Sequence, residues 1–302
     1  MDGREFLTVD SGGSKTKIAL YSMEGNLIKT TTTQGFGKAL DSQEKIVELF
    51  EVLKEFCNDY SISTVICNLG GKNKREFELT LQSAFPNSKI QLFRESEGKI
   101  GMVLCEKYGA QVTLMAGTGS IAIAPVENQM VICGGWGANI SDQGSGYQVG
   151  LDAIRLALEQ LDQEQPLSLL TKKITGVEQP FLPTDAEKYC LLRDTVRQNI
   201  FPLDRAHIAS FAKVVCECAF LGDKSALNVY EKAGKDLANI VLSAVAKTKK
   251  RLKRVVVTGG MVNAKQFWST AFEKNIKEKY KVQEVIYIAD GIDVAMCEMA
   301  RK

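Results

Sequence analysis

The sequence predicts an α/β fold built as two successive domains, each on a mixed sheet. Three observations predict it. The opening residues run in the order βββαβαβα, a second βββ meander begins near residue 111 with a glycine-rich turn at the same place, and strands alternate with helices again toward the C terminus. Such alternation adds parallel strands to each meander. A length of 302 residues supports two cores. The boundaries expected are 1–111 and 112–302, with a last helix over 292–301 returning to pack on the first domain.

Taken in order, Glu5 to Asp10 is a short apolar strand ending in an acid, and Ser11 to Ser14 is a turn. Lys15 to Met23 alternates into a second strand, and Leu27 to Thr33 is a threonine-rich third. Ile46, Leu49, Phe50, Leu53 and Phe56 stand at helical spacing in Ser42 to Cys57. Thr64 to Leu69 reads as a buried strand, Lys74 to Phe85 as a helix, Lys89 to Phe93 as a strand and Glu97 to Tyr108 as a helix. The second meander is Gln111 to Ala116, Ile121 to Pro125 and Met130 to Cys133. Helices follow over Gln148 to Leu161, Arg205 to Leu221 and Leu227 to Lys250. The segment holding Pro166, Pro180 and Pro183 breaks the pattern. Arg254 to Thr258 is a wholly apolar strand; a helix from Ala264, a strand over Val282 to Ile288 and a helix over Ile292 to Arg301 close the chain.

The composition is that of a globular protein, with 45% hydrophobic and 25% charged residues. A net charge of +2 argues for neither a nucleic-acid nor a membrane partner. The start, MDGREFLTVD, lacks a basic n-region followed by an apolar core, and no apolar run approaches the roughly 18 residues of a membrane helix. The eight cysteines form no CxxC pair or zinc spacing. They fit reduced thiols, so a cytoplasmic location is expected.

Three glycine-rich turns carry the chemistry. The turn over Asp10, Ser11, Gly12, Gly13, Ser14 and Lys15 suits a plain hairpin. It equally suits a phosphate cradle in which backbone N–H groups and the Ser14 and Thr16 hydroxyls bind oxyanions while Asp10 holds hydrated Mg²⁺. Gly117, Thr118, Gly119 and Ser120 present the same two readings. Gly259 and Gly260 end a buried strand, where close backbone packing admits a base, a ribose or a phosphate. Between the second meander and its helix lies VICGGWGANISDQGSGYQVG, Val131 to Gly150, where Trp136, Asp142 and Tyr147 stand among glycines, which suits a backbone wrapped round a ligand or an irregular surface loop.

In the segments VDSGGSKTKIAL, MAGTGSIAI, CGGWGANISDQGSGYQVG, IASFAKVVCECAFLGDKSALNVYEKAGKDLA and VVVTGG, the chain resembles the BadF/BadG/BcrA/BcrD ATPase family. That family includes N-acetylglucosamine kinases and lies within the superfamily of sugar kinases, heat-shock ATPases and actin. The resemblance implies two ribonuclease-H-like domains with a nucleotide cleft and ATP with Mg²⁺ as cofactors. Asp10, Gly12, Gly13, Ser14, Lys15, Gly117, Thr118, Gly119 and Ser120 would then hold the phosphates and metal, and Gly259 and Gly260 would lie by the adenosine. It also implies an amino-sugar site using Gly71, Gly135, Trp136 and Asp142, with Cys133 and Trp136 walling the acetamido pocket, and a homodimer.

Two departures from the family pattern bear on substrate. Glu95 stands where the sugar kinases carry a catalytic aspartate; it is either the base that accepts the acceptor's proton or a solvated acid at a helix start. Lys38 stands near an expected sugar-binding asparagine, and Gln143 replaces a glutamate common among relatives. Both changes move charge in the positive direction, so an acidic acceptor is one expectation. A family ATPase that drives a partner protein is the alternative, and a nucleotide-bound sensor is a third.

Overall fold

The computed structural model describes residues 5–11, 15–36, 42–68, 74–93, 96–127, 129–138, 140–163, 166–179 and 186–301. They fall into two compact units, residues 1–103 with 290–302 and residues 104–289.

In the first unit, β1 (Glu5–Ser11), β2 (Lys15–Tyr21) and β3 (Leu27–Gln34) form the antiparallel meander. β4 (Ile62–Asn68) lies parallel to β1 and β5 (Lys89–Phe93) parallel to β4, giving the order β3-β2-β1-β4-β5. Alternation along the strands decides what each face buries. Leu7, Val9, Ile18 and Leu20 share one cluster with Ile46, Leu49 and Leu53 of α1 (Gln43–Phe56) and Phe77 and Leu81 of α2 (Lys74–Ala84). The division between units falls within α3 (Ser96–Tyr108).

The second unit repeats the plan. β6 (Val112–Ala116), β7 (Ser120–Val126) and β8 (Gln129–Gly134) are antiparallel. β9 (Arg254–Thr258) and β10 (Glu284–Ile288) extend the sheet in parallel beyond β6, in the order β10-β9-β6-β7-β8. Both sheets thus carry a three-stranded meander followed by two parallel strands, the ribonuclease-H-like arrangement. Val255, Val256 and Val257 are fully buried, which accounts for the unbroken apolar run of β9.

Helices of this unit are α4 (Gly146–Asp162), α5 (Leu169–Thr175), α6 (Ala186–Ile200), α7 (Arg205–Phe220), α8 (Lys224–Thr248) and α9 (Lys265–Lys279). Ser145, Asp204 and Asp223 cap α4, α7 and α8 by accepting from Gln148, His207 and Ala226 N–H groups. α5 and α6 occupy the stretch that the sequence leaves as pattern-breaking. α6 buries only Val196 and Ile200, so it shows almost no helical apolar stripe, whereas α5 is a seven-residue helix capped by Ser168 and ended by left-handed Gly176.

The closing helix, α10 (Gly291–Ala300), belongs to the first unit and covers the sheet face opposite α1. Cys297 and Ala300 pack on Phe6, Ala19 and Tyr21, and the Phe6 and Tyr21 rings stack at 5.3 Å. Lys17 of β2 pairs with Asp293, which is 6% exposed, and with Asp290 at 3.4 Å.

α4 crosses α7 at Gly150 so closely that a Cβ there would stand 1.9 Å from the Ile208 carbonyl oxygen. Gly150→Ala must push two helices apart, and the expected cost is about 1–3 kcal/mol in urea unfolding. An unchanged unfolding midpoint would show that the crossing relaxes freely.

Candidate functional site

Three of the glycine-rich segments meet in the second unit. β6 ends at Ala116 and β9 at Thr258, and Gly259 (φ +103) turns so tightly that a Cβ would lie 2.5 Å from the Ala116 carbonyl oxygen. The turn of residues 117–120 therefore sits beside Gly260, and Gly117 N–H closes it by donating to the Gly119 carbonyl at 2.9 Å. The first turn of α4 lies against it. Gly146 N–H donates to the Gly117 carbonyl at 2.8 Å and Tyr147 N–H to the Thr118 carbonyl at 3.2 Å. The Ser120 hydroxyl donates to the Gln143 carbonyl at 2.7 Å. Two N–H groups at the helix start are spent on the turn's carbonyls, which leaves its remaining polar groups aimed elsewhere.

Asp142 is 2% exposed at this junction. Its Oδ2 accepts from Arg205 Nη2 at 2.8 Å and its Oδ1 faces Ser120 N–H at 3.5 Å. Arg205 is the first residue of α7, and its guanidinium lies 2.6 Å from where a Cβ on Gly119 would be. The pair thus covers the turn itself. Sequence reading places Asp142 near a ligand but assigns Arg205 nothing, because 63 residues separate the partners.

Around Asp142 the loop is shaped by positive-φ glycines, Gly134, Gly135 and Gly137, and closed by a bridge between Gly137 and Ser141. It holds the Trp136 side chain out, 75% exposed, so its indole is available as an apolar wall. Cys133, paired with it in the sequence reading, is 8% exposed and packs in the core of this unit. Inward alternation along β8 puts the thiol on the helix-covered face.

In the first unit, Asp10 lies opposite Asn68 of β4 in register and accepts from Asn68 Nδ2 at 2.7 Å. Burial pushes its carboxyl up to about 6; Asp293 adds to the rise, while Asn68, Lys15 and Lys17 oppose it. Its second oxygen has no hydrogen-bond partner among the described residues. A charge-starved carboxylate with one oxygen held suits a cation that keeps most of its own waters, as magnesium does. Thr16, expected to serve an oxyanion, is fully buried instead. Its hydroxyl meets that of Ser11 at 2.7 Å, and both accept from Phe36 N–H, at 3.0 and 3.1 Å. Lys15 is exposed. Gly12, Gly13, Ser14, Lys38, Gly71 and Glu95 lie outside the described residues.

The sequence profile of the BadF/BadG/BcrA/BcrD ATPase family matches residues 7–293. The chain is 26% identical over 295 residues to the N-acetylmuramic acid/N-acetylglucosamine kinase of Clostridium acetobutylicum, covering 92% of each chain. To the N-acetyl-D-glucosamine kinase of Dictyostelium discoideum it is 25% identical over 303 residues, covering 93% of this chain and 92% of that protein. Among solved structures, a candidate N-acetylglucosamine kinase of Porphyromonas gingivalis matches with a TM-score of 0.70 at 16% identity, over 98% of both chains. A ROK family glucokinase of Streptomyces griseus, solved with glucose and AMPPNP, matches with a TM-score of 0.60 at 10% identity, again over 98% of both chains. These two likenesses establish the fold.

Two outcomes are expected from the charges. Because the folded-state value of Asp10 lies above its ordinary 3.8, the native state binds the proton more readily, so its contribution to stability is full below pH 3.8 and lost as pH rises through about 6. Asp10→Asn should therefore stabilise the ligand-free protein at pH 7.5 by about 1–2 kcal/mol, with the gain vanishing toward pH 4, in unfolding measured across pH. Arg205→Ala should cost about 1–3 kcal/mol by leaving the Asp142 carboxylate buried without its partner. Asp142→Asn with Arg205→Ala together should cost less than the sum; strict additivity in a double-mutant cycle would deny the coupling.

Proposed function

The chain belongs to the BadF/BadG/BcrA/BcrD ATPase family, and from that membership we propose that it is an ATP-dependent kinase transferring the γ-phosphate to a hydroxyl of an amino sugar. One observation supports this reading above the others. The turn of residues 117–120, the buried Asp142 and the Gly259–Gly260 strand end converge in one place, and two segments of different chemistry, phosphate-type glycine turns and an indole with a carboxylate, flank it. Both sequence relatives described above carry sugar-kinase names.

In this reading Gly117, Thr118, Gly119 and Ser120 contact nucleotide phosphates, together with Asp10, Gly12, Gly13, Ser14 and Lys15, and Gly259 and Gly260 lie by the adenosine. Magnesium, held through water by Asp10, would neutralise charge on the phosphate oxygens. Trp136, Gly135, Asp142, Lys38 and Gly71 bind the acceptor. Asp142 would accept from a sugar hydroxyl with the oxygen that Ser120 holds weakly at 3.5 Å, while Arg205 steadies the other. Glu95 accepts the proton of the attacking hydroxyl and orients it toward the γ-phosphorus.

An acidic amino sugar fits the charge pattern best. Lys38, and Gln143 where relatives carry a glutamate, both shift the charge in the positive direction, and one relative is named for N-acetylmuramic acid as well as N-acetylglucosamine. We place the enzyme in the cytoplasm as a homodimer; no helix among the described residues is long and apolar enough to cross a membrane. The cysteines give a partner-coupled redox ATPase no support. Cys57, Cys67, Cys105, Cys133 and Cys218 are buried, and burial pushes the Cys57 thiol up to about 12 and that of Cys105 up to about 11.

Glu95→Gln should lower kcat by roughly a thousandfold while leaving ATP affinity within twofold, in coupled-assay kinetics beside calorimetric titration. Unchanged turnover would sink the assignment of the base. A phosphate-transfer screen over N-acetylglucosamine, N-acetylmuramic acid and plain hexoses should give the acidic amino sugar the highest kcat/KM. Phosphorylation of neutral amino sugars alone would withdraw the acidic acceptor, and hydrolysis without transfer to any sugar would withdraw the kinase reading.

A further inference from the structure

Away from the phosphate-type turn, α4 and α6 stand apart around a cavity of about 610 Å³. Leu151, Ile154 and Leu158 of α4 face Val196 and Ile200 of α6 across it, and Phe201 and Leu203 stand at its edge. Ile154, Val196 and Ile200 form a buried floor, at 4%, 7% and 4% exposure, whereas Leu158, Phe201 and Leu203 remain 39%, 54% and 48% exposed. That volume is in the range of pockets that enclose a small organic ligand, roughly 300–1,000 Å³.

The charges round this floor are unbalanced. Arg155 lines it from α4, and Arg193 and Arg197 line it from α6, one helical turn apart, with Asp162 the one acidic lining residue. None of the three arginines has an ion pair among the described residues; Arg193 rests over the Tyr189 ring, 5.6 Å from its centroid. Like charges at i and i+4 repel, and Arg155 faces them from the opposite wall. Three guanidiniums over an apolar floor complement one chemistry, an anionic head on an apolar body.

We propose that the α4–α6 cavity binds a small anionic amphiphile, its acid group held by Arg155, Arg193 and Arg197 and its aliphatic or aromatic body on Ile154, Val196 and Ile200. The apolar floor distinguishes this site from a phosphate or sugar site. The arginines distinguish it from a gap closed by neutral packing. The proposal does not depend on the kinase reading.

The test uses the full chain and the dye 8-anilinonaphthalene-1-sulfonate, itself an aromatic sulfonate. Saturable binding of one dye per folded chain is expected, displaced by dodecanoate but not by dodecyltrimethylammonium. Arg193→Gln with Arg197→Gln should weaken the dye tenfold or more, while Arg193→Lys with Arg197→Lys retains most of the affinity. Leu158→Trp should block the dye by filling the cavity with every charge in place, so the result does not hang on one variant. Near-ultraviolet circular dichroism and melting matched to the wild type confirm that each variant is folded. Absent or unsaturable dye binding would overturn the proposal, as would equal displacement by the cationic amphiphile or indifference to both the charge and the filling changes. So would a wild-type dimer that Leu158→Arg dissociates in light scattering, which would show a second copy covering the cavity.

Discussion

The backbone hydrogen bond from Gly146 N–H to the Gly117 carbonyl is the contact on which the second unit's site depends. It joins the start of the turn after β6 to the beginning of α4, and the neighbouring bond from Tyr147 to Thr118 fixes the direction in which the helix leaves. A helix start with its first N–H groups satisfied in this way can be buried without cost from orphan donors. The loop between β8 and α4 must then span a set distance, which brings Asp142 over Gly119 and exposes Trp136. α4 in turn crosses α7 at Gly150, and α7 delivers Arg205 to the same turn. A change in the turn is therefore felt as a change in helix packing.

Electrostatics divide the two units by type. In the second unit the buried Asp142 is answered by a guanidinium from a distant helix, so its charge is compensated without a ligand. In the first, Asp10 is half-buried with Asn68 its one hydrogen-bond donor among the described residues, while Lys17, one strand away, is drawn to Asp293 of α10 and to Asp290 just before it. Lys17 ties the C-terminal helix to the sheet rather than neutralising Asp10. Desolvation raises the Asp10 carboxyl, so in the ligand-free chain the ionised form costs stability at neutral pH.

Much of the fold was legible because its signals are local. The short buried runs of β1, β6 and β9, the alternation of β2 and the helical spacing of α1, α4, α7 and α8 each arise from neighbours within a few residues. α6 escaped because a helix that buries two side chains carries hardly any periodic signal. At the site, composition showed which segments are unusual but could not separate a ligand-facing group from a packed one. Thr16 and Cys133, both small and plausible as contacts, are inside, since strand parity turns them to the core.

By itself the sequence determined the repeated meander, the order of the strands, the family resemblance and the glycine segments to inspect. Each follows from short-range pattern, turn chemistry or motif spacing. Only the tertiary structure decided that Asp142 answers to Arg205, that Asn68 holds Asp10, and that three arginines line an apolar gap between α4 and α6. Those pairings join residues tens of positions apart. Chain folding, not local propensity, sets the distances over which charge and hydrogen bonding act.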